Sequence, residues 1–430
     1  VFFMTFCALS SAKGMDIKMK VLVLSNFIYD IKQPVFNKNA CGFGIMVNDI
    51  VNAVSKNNDV YLMTRAFHNA KQVNRYQLVS HTKSDFVKSI SIRNLTKAVV
   101  GFFSCKEPFR MKLRYAYYNL DMGSVKKAIK EIKPDVVHVH GLSYSTKQYI
   151  NLLRELKIPF VVTLHGLIGI DESVKASEHD KSYEKEFLLL SEKENIPVTV
   201  ISSGMKSRIQ KFYGISGKNI FIVLNGINVD IKRYSDEELN DFKNKLGINK
   251  CDKVIVFIGN ITKNKNQEQL IDAINLISSD IKQNIKVYFA GKDVLQGKLQ
   301  KKTEQYGLSK VISFLGFLEK NDINKLYDSS DLNIFTSLND GFGLPIVEGF
   351  LHGVPVVTYS DLDSFDDIYE ADAIIVPRDR TIEELAVAVE VALSCNWDRR
   401  KIQSLAQKYS LENMGKAYSS IYIQIQKGGE

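Results

Sequence analysis

Short apolar runs that close on glycine or a polar residue, each followed by helical periodicity, recur along this chain and constrain its fold more than any other feature. Lys20–Ser25 (KVLVLS), Asp59–Met63, Pro134–Gly141 (PDVVHVHG), Phe160–Gly166 (FVVTLHG), Lys253–Ile258 with Gly259, and Ile285–Ala290 with Gly291 all fit the pattern. Continuous Val, Ile and Leu runs of that length mark strands covered on both faces of a parallel sheet. Helical spacing lies between them: Ile45, Val47, Ile50, Val51 and Val54 after Gly42 and Gly44, then residues 124–132, 146–156, 184–194, 205–212, 267–278 and 320–329. Strand, turn and helix in alternation predict a doubly wound α/β architecture.

A chain of 430 residues exceeds one ordinary core, so two domains of roughly 200 residues each are expected. The turn Leu224–Asn228 and the charged segment Asp230–Asn249 separate two strand-first series. The expectation is therefore two Rossmann-like halves, 19–228 and 229–410, with a closing helix 411–426 packing back on the first. Residues 1–18 read as a disordered leader, apolar at the start but too short to span a bilayer. The five cysteines are scattered without a CxxC pair, which argues for a reducing compartment and against a disulfide frame or zinc site.

A net charge of +9 points to an anionic partner surface. It concentrates in residues 88–118, where Lys88, Arg93, Lys97, Lys106, Arg110, Lys112 and Arg114 interleave with Phe102, Phe103, Phe109, Tyr115, Tyr117 and Tyr118. That mixture suits a membrane surface, and nucleic acid can be held the same way. An ordinary solvated face with its aromatics in the core reads equally well.

The stretch Asn339–Val357 (NDGFGLPIVEGFLHGVPVV) is a glycine-punctuated loop running into a short helix, with Asp340 and Glu348 framing it. Amides around Gly341, Phe342, Gly343 and Leu344, together with the helix N-terminus, suit anions and hydroxyl-rich ligands. By itself it is a plain strand–loop–helix corner. His140 and His165 fall at the carboxyl ends of their strands, where open α/β sheets bind ligands.

With Lys133–Gly141, Thr163–Gly166, Leu224–Asn228, Gly259–Lys265 and Ser410–Met414 in order around Asp340–Val357, the chain resembles the GT-B glycosyltransferases of the large retaining family, GT4-like or group 1, that includes sucrose-phosphate and phosphatidylinositol mannosyl transferases. The resemblance implies a nucleotide-diphosphate sugar, a UDP-sugar first, lying in a cleft between the halves, with no metal and no other cofactor. It implies Glu348 on the ribose hydroxyls, Asp340 on the sugar with the amides of Gly341–Leu344, and Lys265 on the diphosphate. Gly42, Gly44 and Asn260 would complete the donor site, and His165 would contact sugar or acceptor. Two positions depart from the pattern: Asp340 stands where the family has Glu, and Asn260 where it has Arg, so Lys263 is a candidate substitute cation. The implied acceptor is a lipid-linked or cell-surface glycan, handled in the cytoplasm at the inner membrane face, with no nucleic-acid partner. A nucleotide-sugar epimerase or phosphorylase on the same fold, and a non-catalytic partner subunit, are the alternatives.

Overall fold

The computed structural model describes residues 18–30, 33, 36, 42–105, 107–171 and 176–428. The expected leader, Cys7, Cys41 and Lys106 therefore lie outside the described residues. Contacts divide the chain into two compact units. One holds the described residues up to His140, Ser145–Val161 and the chain from Gly415; the other holds Gly141–Tyr144 and Val162–Met414. The division runs through a strand of the first sheet rather than at the turn near Asn228.

The first unit carries β1 (Lys20–Ser25), β2 (Asp59–Thr64), β3 (Lys71–Val73), β4 (Tyr76–Leu78), β5 (Val136–His140) and the start of β6 (Phe160–Leu164), in spatial order β3-β4-β2-β1-β5-β6. β1 lies between β2 and β5, parallel to both, and its Val21–Leu24 are fully buried, as a continuous apolar run requires. The β3–β4 pair is antiparallel, with Asn74 at φ 48° in its turn. The helix Gly42–Val54 buries Met46, Val47, Ile50, Val51 and Val54. Residues from Gly415 onward pack in this unit: Asn58 donates to Ser419 at 2.9 Å, and His138 meets the Tyr422 hydroxyl at 2.7 Å.

A buried polar knot ties the strand ends of this unit to its helices. Arg65 lies between the rings of Tyr118 and Tyr149, donating to Asp121 at 2.8 Å, to Asn26 at 3.1 Å and to the Ser145 carbonyl at 2.7 Å. Asp121 in turn meets His81 Nε2 at 2.9 Å. A buried ion pair is costly unless further polar contacts surround it, and here Arg65 donates to three acceptors.

The second unit carries the end of β6, β7 (Val198–Val200) and β8 (Ile220–Ile222), then a complete parallel sheet of β9 (Lys253–Ile258), β10 (Ile285–Ala290), β11 (Ile312–Gly316), β12 (Leu332–Phe335), β13 (Val356–Thr358) and β14 (Ile374–Ile375), in order β11-β10-β9-β12-β13-β14. The order reverses at β9, which gives the switch point of a doubly wound sheet. Ile255, Phe257, Val287, Phe289 and Ile334 pack on one face against the helices Gln267–Leu276 and Ile382–Ser394. Two parallel-sheet α/β units of Rossmann type thus match the expected fold class.

Differences in detail have local causes. The helix expected at 184–194 starts at Glu178, because Ser177 caps it by accepting from Asp180 N. The helix Lys298–Gln305 was not expected: it is almost wholly polar and buries only Leu299 and Thr303. The helix Asp236–Leu246 in the charged segment buries nothing and rests on a capping box between Ser235 and Glu238.

Candidate functional site

Two loops of the second unit meet beyond the carboxyl ends of β9 and β12. The loop after β9 crosses close to the one after β10: a Cβ on Gly291 would lie 2.2 Å from the Gly259 carbonyl, so only glycine fits there. Backbone and side chains then stitch the β9 loop to the β12 loop. Leu338 N donates to Asn264 O at 2.8 Å, Asn264 Nδ2 to Asn339 O at 2.7 Å, and Thr336 Oγ1 to the Lys265 and Asn266 carbonyls at 3.1 and 3.0 Å.

That stitching places the Lys265 ammonium on Asp340 Oδ2 and over the Phe335 ring, 4.7 Å from its centroid. Asp340 Oδ1 accepts from Phe342 N at 3.1 Å and Gly343 N at 2.7 Å. Burial pushes the Asp340 carboxyl up, but the Lys265 charge and hydrogen bond and those two amides outweigh it, so its pKa lies below the ordinary value. Gly343 takes φ 74° to cap the helix Leu344–Leu351, and Phe342 is buried with its ring edge-on to Tyr409. A Cβ on Gly341 would come within 2.9 Å of Ile201 Cδ1.

Glu348, one turn into that helix, is held by Lys320 at 2.6 Å; the lysine is 61% exposed, the carboxylate 21%. Asp340, Gly341, Phe342, Gly343, Leu344, Glu348 and Lys265 are thus grouped around one loop and helix start. Asn260 is exposed and engaged through its oxygens. Its side-chain oxygen accepts from Lys292 N at 3.1 Å, and its carbonyl accepts from Gln267 at 3.0 Å. The side chain closes the loop crossing, which an arginine fork would not do. Lys263 is exposed, with no ion pair among the described residues.

His165 follows β6 and is half-buried; desolvation pushes its imidazole down to about 4, so it is neutral near pH 7. Its turn is held by Glu184, which accepts from Ile168 N at 2.8 Å, Gly169 N at 3.0 Å and the Tyr213 hydroxyl at 2.7 Å. His140 differs from the expectation for a strand-end ligand: it is fully buried, its ring 4.0 Å from that of His138. Gly42 and Gly44 belong to the first unit. Gly42 opens its helix with no atom near a would-be Cβ, whereas a Cβ on Gly44 would meet Tyr29 N at 2.9 Å, so Gly44 serves close packing of the β1 loop.

Sequence reasoning missed Glu184 and Arg380. Arg380 donates to the carbonyls of Thr336 and Ser337 at 3.2 and 2.9 Å, pairs with Asp361 at 2.6 Å and lies over the Tyr359 ring. It fixes the start of the β12 loop. No motif spacing announces either residue, since both act on backbone distant in sequence.

The segment 88–118 is split. Tyr115 is buried and Tyr117 packs on Phe86, as core aromatics do. Phe103 and Phe109 are 78% and 68% exposed, beside exposed Ile92, Leu95, Val99, Val100 and Leu113. Among the described residues, no helix is long and apolar enough to cross a membrane, and no cluster of three metal-ligating side chains occurs.

Comparison with known proteins gives this geometry a class. Residues 239–409 match the family described as Glycosyl transferases group 1, and residues 46–231 that described as Glycosyltransferase Family 4. The chain is 27% identical over 303 residues to the uncharacterized glycosyltransferase MJ1607 of Methanocaldococcus jannaschii, covering 67% of this chain and 75% of that protein. It is 26% identical over 302 residues to the serotype-specific mannosyltransferase WbdA of Escherichia coli, covering 65% of this chain and 36% of that protein. Among solved structures it superimposes on sucrose-phosphate synthase from Thermosynechococcus elongatus with a TM-score of 0.70 at 14% identity, covering 95% of this chain and all of that one. HepE of Anabaena, in complex with UDP and glucose, gives 0.63 at 17%, with 94% and 100% covered. The protein is a glycosyltransferase of the GT-B fold.

Proposed function

We propose that the protein moves a hexose from a nucleotide-diphosphate sugar to a glycan or lipid-linked acceptor, with retention at the anomeric carbon and without a metal. The observation that carries this reading is the Lys265–Asp340 pair set on the amides of Phe342 and Gly343. It provides one cation, one carboxylate and a helix N-terminus within a single loop system. A ligand phosphate would draw Lys265 off Asp340 and free the carboxylate for sugar hydroxyls, while Glu348 accepts from the two ribose hydroxyls.

As the bond from the anomeric carbon to the phosphate oxygen breaks, the acceptor oxygen bonds to that carbon on the same face, and its proton passes to the departing phosphate. Charge on the diphosphate grows toward the transition state, so Lys265 stabilises that state more than the bound donor. Neutral His165 donates or accepts a hydrogen bond at the sugar or acceptor. The HepE complexes with UDP and UDP-glucose make a UDP-sugar the first donor to test. The relation to WbdA, a serotype-specific mannosyltransferase, favours a glycan acceptor. The exposed apolar and basic residues of 92–113 support work at the cytoplasmic membrane face.

Thermal-shift titration with UDP- and GDP-sugars tests the donor. A ligand at 100 times its Kd adds about 2.7 kcal/mol of stability, and the absence of any shift with either series overturns the donor reading. Product NMR reads the anomeric configuration, and an EDTA-resistant rate reads metal independence. Flotation with anionic liposomes tests the membrane part. The non-catalytic alternative draws on Asn260, whose side-chain oxygen accepts from Lys292 N; turnover of any donor removes it. Isomerisation of donor without acceptor would identify an epimerase instead.

A further inference from the structure

The first unit contains a cavity of about 730 Å³ among the helices Lys83–Ser89, Ile92–Ser104, Met122–Ile132 and Tyr144–Leu156, lined by none of the donor-site residues above. Its volume lies within the range of small-molecule sites. The walls are fixed. A Cβ on Gly123 would fall 1.9 Å from the Ser89 carbonyl, and Ser89 Oγ meets Ser124 Oγ at 3.0 Å, so two of the helices touch through backbone. Met122 and Leu152, both nearly buried, contribute an apolar floor.

The charge on the walls is unbalanced in a specific way. Three carboxylates line the cavity and all are engaged: Asp85 with Lys127 at 3.0 Å, Glu155 with Arg93 at 2.5 Å and Lys97 at 3.7 Å, and Glu131 with Lys127 at 3.9 Å. Three more lysines line the same space, Lys88, Lys126 and Lys130, and none has a carboxylate partner among the described residues. Unpaired cations over an apolar floor leave an electrostatic demand that a multiply charged anion meets better than water or chloride. Lysine is a point-charge binder suited to phosphate.

We propose that this cavity binds a phosphate- or diphosphate-bearing molecule, its anionic group on Lys88, Lys126 and Lys130 and its apolar part on Met122 and Leu152. This site is separate from the donor site and does not depend on it. The shared chemistry fits both a soluble phosphate compound and a phospholipid headgroup.

The test compares the wild-type protein, Lys126→Ala/Lys130→Ala, and the equal-charge control Lys301→Ala/Lys310→Ala. Pyrophosphate binding is measured by calorimetry at low salt, and binding to phosphatidylcholine vesicles with and without phosphatidylglycerol by sedimentation. The expected result is at least a tenfold loss of pyrophosphate affinity in Lys126→Ala/Lys130→Ala. The control variant keeps wild-type affinity, and the loss in Lys126→Ala/Lys130→Ala persists when the donor site is first saturated with UDP, which separates this site from the donor site. A parallel loss of vesicle binding assigns the site to a lipid headgroup; unchanged vesicle binding assigns it to a soluble phosphate. The proposal is overturned if the wild-type protein binds neither probe, or if Lys126→Ala/Lys130→Ala binds both as well as the control does.

Discussion

Lys265 and Asp340 close on each other across two loops, and the second oxygen of the same carboxylate takes the amides of Phe342 and Gly343. The carboxylate thus sits where a helix N-terminus would receive a ligand's oxygen. The ammonium that neutralises it is the one assigned to the departing diphosphate. In the proposed function the pair is a latch that a donor would open, and its two halves have separable consequences.

Lys265→Ala is expected to lower transfer at least about 100-fold, the usual scale for removing one charged donor from a transition state. It also has a pH signature. The Asp340 carboxyl is depressed below 3.8 in the folded protein, so it contributes stability above its unfolded value that is lost as pH falls through the folded one. Without Lys265, burial is opposed only by the amides and the folded value rises. Acid unfolding followed by circular dichroism should then begin at a higher pH than in wild type; an unchanged midpoint would remove the latch from the account.

Gly343→Ala tests the backbone half. A side chain at φ 74° is strained by about 1–2 kcal/mol, and the new Cβ would stand 3.1 Å from Ile346 Cδ1. Relief of that strain moves the amide that Asp340 accepts. Urea denaturation should show the stability loss, and the donor KM should rise with it. Gly42→Ala, with no atom near its Cβ, should stay within about 0.5 kcal/mol of wild type.

Two histidines set a pH slope of opposite sign to the usual surface histidine. Burial lowers both His165 and His68 from 6.5 to about 4, His68 further through nearby His81. Between those values the unfolded chain binds protons that the folded protein does not, so stability falls as pH drops from about 6.5 to 4. His165→Gln should reduce that slope by about one proton's share, read from urea midpoints at stepped pH. A slope equal to wild type would show that His165 is not desolvated.

How much of this was legible in the sequence depends on whether a residue acts on its neighbours or at a distance. β1, β9 and β10 were read to the residue, because their apolar runs close on a polar residue or a glycine, Ser25, Gly259 and Gly291. The loop and helix start at Asp340–Leu344 were visible because helix start and glycine lie together in sequence. The bond from Lys292 N to Asn260 could not be read, since it depends on two loops crossing at Gly291. The burial of His140 was not legible, because a polar residue ending a strand can still be covered by other elements. The β3–β4 hairpin escaped notice since its turn is Asn74-Arg75, without the glycine that usually announces one.

Glu348 and Lys320 give the sharpest test of how the donor is held. Their pair, at 2.6 Å with the lysine largely in solvent, is worth at most about 1 kcal/mol, so Lys320→Ala should leave the urea midpoint nearly unchanged. If Glu348 accepts from ribose hydroxyls, the lysine competes for the same oxygens, and removing it should leave UDP affinity equal or tighter. Glu348→Gln keeps shape and one acceptor but loses the charge, and should weaken UDP about tenfold, the scale of a charged hydrogen bond. The same two variants measured against inorganic pyrophosphate should show no difference, since it has no ribose. UDP binding that weakens in Lys320→Ala and is untouched in Glu348→Gln would put the nucleotide on the lysine and remove Glu348 from the site.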